Sequence, residues 1–330
     1  MSLRLGLLGA GRIGKVHAGA IAATPGATLV AVADAVPAAA EALAHTAGAE
    51  VREADAIMNA ADIDAVLITT PTDLHAEMIE QAARAKKAIF CEKPIDLDVK
   101  RVRRCLGVVE AEKAVLMVGF NRRFDPNFME VRRQIDQGTI GKVEMVTIIS
   151  RDPGPPPAEY IKRSGGIFRD MTIHDFDMAR FLLGEEPVSV YASASVLTDP
   201  VVGELGDYDS ATVVLTTASG RLATISNSRR ATYGYDQRIE VHGSRGLVSA
   251  DNVRATNVEV ANGDGYRRER LLDFFMTRYT EAYRNEITAF VQAVEKGGAV
   301  TPSGEDGLKA LVLADAALRS VKEKRPVEIA

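Results

Sequence analysis

The sequence has few cysteines, no long apolar run and no large excess of charge. A transmembrane helix needs about 20 consecutive apolar residues, and the N-terminus lacks the charged region and cleavage site of a signal peptide. Cys91 and Cys105 are too few for a disulfide framework, so we expect two free thiols in a reducing compartment. We therefore expect a cytoplasmic protein with no membrane partner.

The chain also lacks a large excess of positive or negative charge. The formal net charge is −5, and no basic stripe with interleaved aromatic residues is present. Nucleic acids attract strongly basic proteins, so we expect no nucleic-acid partner. Hydrophobic residues make up 46% of the chain and charged residues 26%, which is typical of a globular protein with a buried core. A chain of 330 residues is long enough for two domains.

A glycine-rich turn follows the first predicted strand. The apolar run 5–8 ends in Gly9–Gly14, which reads Gly-Ala-Gly-Arg-Ile-Gly, and residues 12–23 have the pattern of a helix. A Gly-x-Gly-x-x-Gly turn between a strand and a helix is typical of a dinucleotide site, because it lets the backbone approach a pyrophosphate closely. The free N–H groups at the N-terminus of the helix also favour an anion.

The second predicted strand supports a dinucleotide site. Residues 29–33 are apolar and end in Asp34, twenty positions after Gly14. A carboxylate there accepts hydrogen bonds from the adenosine ribose hydroxyls and repels the extra phosphate of NADP. The next residue, Ala35, offers no cation to neutralise that phosphate, so the sequence predicts NAD. A chance glycine-rich turn with an incidental surface aspartate is the alternative.

Strands and helices alternate along the first third of the chain, and the pattern then changes. Apolar runs at 65–69, 88–90 and 115–120 are typical of strands in a parallel sheet. The later strands are separated by short turns, which favours antiparallel pairing. We predict an α/β fold class. Its N-terminal Rossmann domain, a doubly wound parallel sheet, covers residues 1–120, and a C-terminal α+β domain with an open, mainly antiparallel sheet covers 121–330.

The first candidate for chemistry is Lys93, which lies between Glu92 and Pro94 just after a predicted strand. The carboxyl ends of parallel strands meet at one edge of a sheet, so we expect Lys93 beside the glycine turn. A lysine there could hydrogen-bond a substrate oxygen next to the nicotinamide. A solvated surface lysine is the alternative.

The second candidate is the segment 168–177. On a helix, Asp170, His174 and Asp177 form one polar stripe. A histidine can take a hydroxyl proton as a hydride leaves the same carbon, while a carboxylate fixes its tautomer. A metal site and a structural network around a core histidine are the alternatives. The chain supplies no obvious further metal ligand, so we predict none bound.

Together, the glycine turn, the Glu92-Lys93-Pro94 triplet and the Asp170/His174 pair follow an order and spacing that resemble the glucose-fructose oxidoreductase and inositol dehydrogenase (Gfo/Idh/MocA) family. The resemblance covers essentially the full length. Segments 118–125, 167–177 and 233–236 make the chain most similar to the bacterial inositol 2-dehydrogenases of that family.

The resemblance implies oxidation of myo-inositol to its 2-keto form with hydride transfer to NAD, in a homotetramer assembled through the open C-terminal sheet. It implies three catalytic residues, with His174 as the base, Lys93 polarising the reacting oxygen and Asp170 orienting these groups. The positions implied for binding the cyclic polyol are Arg122, Asp152, Tyr233 and Tyr235. The expected cofactor contacts are Gly9, Gly11, Arg12, Ile13, Gly14, Asp34, Thr70, Pro71, Thr72, His75, Glu92 and Lys93.

Two other functions stay open at this point. A relative that acts on another polyol or sugar, such as scyllo-inositol or an aldopyranose, would share the fold, because function resides in the site. A regulatory protein that binds the dinucleotide without turnover is the second. The presence of both Lys93 and His174 argues against the regulatory alternative.

Overall fold

Six parallel strands form the sheet of the N-terminal unit in the computed structural model, which describes residues 2–329. The strand order is β3-β2-β1-β4-β5-β6, the order of a dinucleotide-binding Rossmann fold. The elements in chain order are β1 (Leu3–Leu8), α1 (Arg12–Ala22), β2 (Ala27–Ala33), α2 (Pro37–Ala47), β3 (Glu50–Val51), α3 (Ala54–Asn59), β4 (Ala65–Ile68), α4 (Thr72–Arg84), β5 (Ala88–Glu92), α5 (Val99–Glu112) and β6 (Leu116–Gly119). The predicted parallel sheet is confirmed.

Seven strands form the second sheet, in the order β12-β11-β7-β10-β9-β8-β15. The elements that follow β6 in chain order are α6 (Pro126–Asp136), β7 (Val143–Arg151), α7 (Ala158–Ser164), α8 (Ile167–Asp170), α9 (Thr172–Leu183), β8 (Pro187–Ser195), α10 (Pro200–Glu204), β9 (Ser210–Thr217), β10 (Leu222–Ser228), β11 (Asp236–Gly243), β12 (Gly246–Ala250), β13 (Glu259–Asn262), β14 (Gly265–Arg268), α11 (Phe275–Arg278), α12 (Thr280–Lys296), α13 (Gly304–Glu323) and β15 (Val327–Glu328).

The pairing in this sheet is antiparallel except between β7 and β10, which run parallel. The predicted open, mainly antiparallel sheet is therefore confirmed. Alternate residues of β9 and β10 are buried, because α9 packs against one face of the sheet at β7 and β10. Apolar side chains on the other face are exposed, including Met145 and Leu222, which are paired across β7 and β10.

The chain divides into the units Met1–Asp125 with Thr280–Leu311 and Pro126–Tyr279 with Val312–Ala330. The sequence predicted one domain boundary near residue 120. In the structure, the chain also returns to the first unit at α12. The reason is the apolar face of α12, where Tyr283 packs edge-to-face on His17 and Phe290 on Phe90. Within residues 2–329, no helix has the length and hydropathy required to span a bilayer.

Two glycine substitutions in helix α1 test how closely this helix packs on the glycine turn. A methyl group at Gly14 would overlap the carbonyl oxygen of Gly9, whereas nothing lies within 4 Å of a methyl at Gly19 in the same helix. We expect Gly14→Ala to lower the free energy of unfolding by about 1–3 kcal/mol through overpacking. Gly19→Ala should raise it by about 0.4–1 kcal/mol, because alanine restricts the unfolded chain. Urea denaturation measures both, and equal effects would contradict the close contact.

Candidate active site

The glycine turn is built by contacts between β1 and the end of β4. Gly9 has a φ of 104°, and a Cβ there would lie 2.6 Å from the carbonyl oxygen of Thr69, so only glycine fits. The Thr69 hydroxyl donates to the Gly9 carbonyl at 2.7 Å and to the Leu8 carbonyl at 3.0 Å. A side chain at Gly11 would meet nothing within 4 Å, so the backbone there is open to a ligand.

Helix α1 begins at Arg12 and Ile13, directly after this turn. Its N-cap residue is Gly11, which makes no side-chain cap hydrogen bond, and its first turn carries no acidic residue. The first N–H groups of a helix point outward and carry partial positive charge. This arrangement suits a pyrophosphate, as the sequence predicted.

Asp34 follows β2 and faces the glycine turn. One carboxylate oxygen accepts a hydrogen bond from the Ala10 N–H at 2.6 Å, and the other accepts one from the Val36 N–H at 2.8 Å. Each carboxylate oxygen has two lone pairs, so these backbone contacts orient the group and leave acceptor capacity for ribose hydroxyls. Asp34 therefore lies where the sequence predicted, and it also holds the turn in place.

The loop after β4 carries Thr70 and Pro71, and Thr72 begins α4. His75, in the first turn of α4, is buried, and its ring nitrogens lie 2.8 Å from the carbonyl oxygens of Thr70 and Pro94. Burial lowers the pKa of His75, with the two carbonyl contacts acting in the opposite direction. His75 thus joins the Thr70 loop to the Pro94 loop through its side chain.

Glu92 ends β5, and Lys93 follows it with a cis peptide bond to Pro94. The Glu92 carboxylate lies 2.6 Å from Nε2 of His17, which is fully buried. The His17 ring also packs edge-to-face on Phe90, with centroids 5.0 Å apart. The sequence predicted cofactor binding for Glu92, but it did not reveal that the Glu92 side chain pairs with His17 in the interior.

In the second unit, Asp170 is the last residue of α8 and His174 lies in the first turn of α9. The expected single helix is interrupted at Met171, because α8 ends at Asp170 and α9 begins at Thr172. Asp177 was the third member of the expected polar stripe, but it is buried and lies 3.7 Å from a guanidinium nitrogen of Arg180. Ten of the twelve residues of α9 are buried, so a polar stripe does not extend along it.

The start of α9 is tied to the sheet by buried hydrogen bonds. The Thr172 hydroxyl donates to the side-chain oxygen of Asn227 at 2.8 Å, and the Asn227 amide donates to Asp175 at 2.8 Å. All three residues are buried, and a buried amide without partners would be costly. These bonds position the turn that carries His174. Neither the role of Asn227 nor that of Asp175 was evident from the sequence.

Asp170 is held by side chains that the sequence did not single out. The Tyr160 hydroxyl donates to one carboxylate oxygen at 2.8 Å, and the Arg229 guanidinium donates to the other at 3.3 Å. Arg229 follows β10, while Tyr160 lies on α7. Their positions depend on strand pairing and helix packing, so no local pattern could have identified them.

The predicted polyol-binding positions are distributed over both units. Arg122 is buried in a 3-10 turn of the first unit, after β6. Asp152 follows β7 in the second unit and donates its N–H to the Ser228 carbonyl at 2.9 Å. Because β7 and β10 end together where β11 begins, Asp152 lies at the same end of the sheet as Arg229 and Tyr235.

The two candidate tyrosines differ in their surroundings. Tyr235 is buried and packs edge-to-face on Tyr279, with centroids 5.9 Å apart. Tyr233 is 48% exposed, donates to Asp236 at 2.6 Å and accepts from Arg151 at 3.1 Å. Burial and the Asp236 hydrogen bond raise the pKa of Tyr233. Tyr233 also lines an open cavity of about 570 Å³ whose lining includes neither Asp170 nor His174.

A metal site is not supported by the candidate donors. Asp177 would be the third ligand, and it is paired with Arg180 instead. Across residues 2–329, no group of three His, Cys, Asp or Glu side chains is arranged to hold a metal ion.

Comparison with known proteins identifies the family. Residues 3–120 match the NAD-binding Rossmann fold of the Gfo/Idh/MocA oxidoreductases, and residues 132–329 match the C-terminal alpha/beta domain of the same family. The chain belongs to the Gfo/Idh/MocA oxidoreductase family. The resemblance inferred from the motifs is therefore confirmed, and the first unit contains an NAD-binding Rossmann domain.

Named relatives and solved structures extend over the whole chain. An inositol 2-dehydrogenase of Rhizobium meliloti (strain 1021) is 70% identical over 330 residues, covering 100% of both chains. A crystal structure of a myo-inositol dehydrogenase from Corynebacterium glutamicum has a TM-score of 0.97 at 43% identity, covering 100% of this chain and 99% of that one. A scyllo-inositol dehydrogenase from Lactobacillus casei with bound NAD(H) and scyllo-inositol has a TM-score of 0.92 at 30% identity, covering 100% and 99%.

The cofactor preference can be tested at Asp34. We expect Asp34→Ala combined with Ala35→Arg to raise the affinity for NADPH relative to NADH by about tenfold or more, because a cation replaces the carboxylate beside the ribose. Fluorescence titration with NADH and NADPH measures the ratio without any substrate. Ala35→Arg alone, which keeps the Asp34 carboxylate, is the control and should shift the ratio less. An unchanged preference for NADH in the double variant would contradict the role of Asp34.

Proposed function

We propose that this chain is an NAD-dependent inositol 2-dehydrogenase that oxidises myo-inositol to its 2-keto form, scyllo-inosose. The observation that carries the proposal is the 70% identity, over the full length of both chains, to the inositol 2-dehydrogenase of Rhizobium meliloti. The match spans the whole chain, including the segments that contain Lys93, Asp170 and His174. A cyclic polyol presents many hydroxyl groups, so it suits a site rich in charged hydrogen-bond donors and acceptors.

The described residues fit NAD. The open backbone at Gly11, the N-terminus of α1 that follows it and the oriented carboxylate of Asp34 match a pyrophosphate and a ribose. When bound, NAD supplies the acceptor for the hydride. We propose direct contacts from the turn, Asp34, the Thr70 loop and Lys93. His75 and Glu92 support these loops, because their side chains are engaged by backbone carbonyls and by His17.

We assign the proton chemistry to three side chains. His174 takes the proton from the hydroxyl group that is oxidised, and Lys93 hydrogen-bonds the same oxygen as it becomes a carbonyl. Asp170 orients these groups and stabilises the charged imidazole. The carbon loses a hydride to NAD and the oxygen loses a proton to His174, so the change is balanced. Arg122, Asp152 and one of Tyr233 or Tyr235 bind the remaining hydroxyls in this proposal.

A second substrate is supported by a structural neighbour that was crystallised with it. The Lactobacillus casei structure contains scyllo-inositol, which differs from myo-inositol only in the configuration at one carbon. A dehydrogenase of scyllo-inositol is therefore the alternative, and the fold cannot separate the two.

We further propose a cytoplasmic homotetramer assembled through the second sheet. The two cysteines are free and buried, which suits a reducing compartment. Exposed apolar side chains lie in a cross-strand row on the open face, where Leu247 and Met145 both neighbour His242 and Leu222 neighbours Met145. An apolar patch on a sheet face is typical of an interface between subunits.

A panel of cyclic polyols and sugars tests the proposed activity. Purified protein with NAD is given myo-inositol, scyllo-inositol and glucose in turn, and NADH formation is followed. We expect the highest kcat/KM for myo-inositol. Preference for scyllo-inositol or glucose would assign the second function, and NADH binding without turnover of any compound would contradict a dehydrogenase.

The catalytic assignment is tested at Lys93. We expect Lys93→Met to lower kcat by about 10²- to 10⁴-fold, because the side chain acts on the reacting oxygen, while NADH still binds through the glycine turn and Asp34. Lys100→Met, at an exposed position on α5, is the matched control and should keep normal turnover. Near-normal kcat in Lys93→Met would remove Lys93 from the reaction.

The proposed tetramer is tested at its open sheet face. We expect Leu222→Glu combined with Met145→Glu to reduce the mass of the assembly, because buried unpaired carboxylates are costly. Light scattering after size-exclusion chromatography measures the mass. Met129→Glu, which changes an exposed apolar residue on α6, is the control. A tetramer that survives the double substitution would exclude this face as the interface.

A further inference from the structure

Arg229 is a buried cation between two carboxylates of the second unit. Its side chain is 1% exposed and is the largest among those that are fully buried. One guanidinium nitrogen lies 3.3 Å from Asp170 and 3.6 Å from Asp207. Burying a guanidinium is expensive unless it is paired, so the two carboxylates explain why it can be there.

Both carboxylates are associated with helix α8. Asp170 is its last residue, and Asp207 binds its first turn. Asp207 accepts a hydrogen bond from the backbone N–H of Ile167, the first residue of α8, at 2.9 Å. The other oxygen of Asp170 accepts from Tyr160 at 2.8 Å. Arg229 therefore links the two ends of α8 through Asp207 and Asp170.

The charges in this group are not balanced. One guanidinium faces two carboxylates, and burial raises the pKa of Asp207, with the nearby Asp170 acting in the same direction. Without the cation, two carboxylates would share a poorly solvated space, and such a pair resists having both members ionised. The groups that face one another here are Tyr160 on α7, Asp170 on α8, Asp207 before β9 and Arg229 after β10.

We propose that Arg229 is a positioning residue that offsets the repulsion between the carboxylates of Asp170 and Asp207 and so orients Asp170 for catalysis. Arg229 acts through Asp170, and this inference rests on the catalytic role proposed for Asp170. It does not depend on which polyol is the substrate.

Kinetics of two variants test the electrostatic role. We expect Arg229→Met to lower kcat by about 10²-fold, because a small displacement of a catalytic group is enough for such a loss, with the KM for NAD little changed. Adding Asp207→Asn should restore kcat by about tenfold, because the competing negative charge is gone while the amide oxygen still accepts from Ile167. A purely structural loss would not be repaired by a second substitution.

The pH dependence of stability tests the same electrostatic interaction without any substrate. In Arg229→Met, Asp207 loses the neighbouring cation that lowers its pKa, so the raised pKa of Asp207 in the folded state rises further and the native variant binds a proton more readily than its unfolded chain. Its stability relative to the parent protein should therefore rise as the pH falls from about 7 to about 5. The pH dependence should disappear in Arg229→Met combined with Asp207→Asn. Thermal unfolding at several pH values measures both.

Arg180→Met is the matched control for burial. Arg180 is another buried arginine of the same unit, paired with Asp177 and Glu186, so its loss should reduce stability without rescue by Asp207→Asn. If Arg229→Met does not fold, Arg229→Lys keeps the charge and should retain most of kcat, while Asp207→Asn alone should leave turnover intact.

The outcomes separate this inference from the proposed function. Asp170→Asn is assayed with the polyol that the parent protein turns over fastest. Normal turnover in Asp170→Asn would overturn both the role of Asp170 and that of Arg229. Loss of turnover in Asp170→Asn, together with normal kcat and unchanged pH dependence in Arg229→Met, would overturn the role of Arg229 alone.

Discussion

The close packing of the glycine turn against Thr69 is the constraint on which the first unit depends. The Thr69 hydroxyl reaches two carbonyls of the β1 end, and α1 lies so near that Gly14 has no room for a side chain. This contact places the start of α1 where the strand order reverses between β1 and β4. The loops after β2, β4 and β5 end at the same edge, and they carry Asp34, Thr70 and Lys93.

In both units, buried polar side chains hold the segments that carry the candidate residues. His75 joins two loops through backbone carbonyls, and Glu92 pairs with His17 beside Lys93. Asn227 holds the start of α9, and Arg229 holds Asp170. Buried polar groups must be satisfied by partners, so such pairs specify one geometry and rigidify it.

The segment with Asp170 and His174 shows where helical spacing fails as a predictor. The spacing put the two residues on one helix, whereas the structure places Asp170 at the end of α8 and His174 in the first turn of α9. It also predicted a continuous polar stripe to Asp177, which the structure does not contain, because α9 is buried around most of its surface and Asp177 pairs with Arg180. The return of α12 to the first unit has a similar cause, since aromatic packing on His17 and Phe90 is a contact between distant parts of the chain.

The sequence by itself determined the fold class, the parallel and antiparallel character of the two sheets, the family, and the strand ends that carry the glycine turn, Asp34 and Lys93. These follow from short-range patterns of apolar residues, glycine and charge. Tertiary structure alone decided which side chains support them, including the pairs of His17 with Glu92 and of Asp170 with Arg229. Those partners are 59 or more residues apart, and only strand pairing and helix packing bring them within hydrogen-bonding distance.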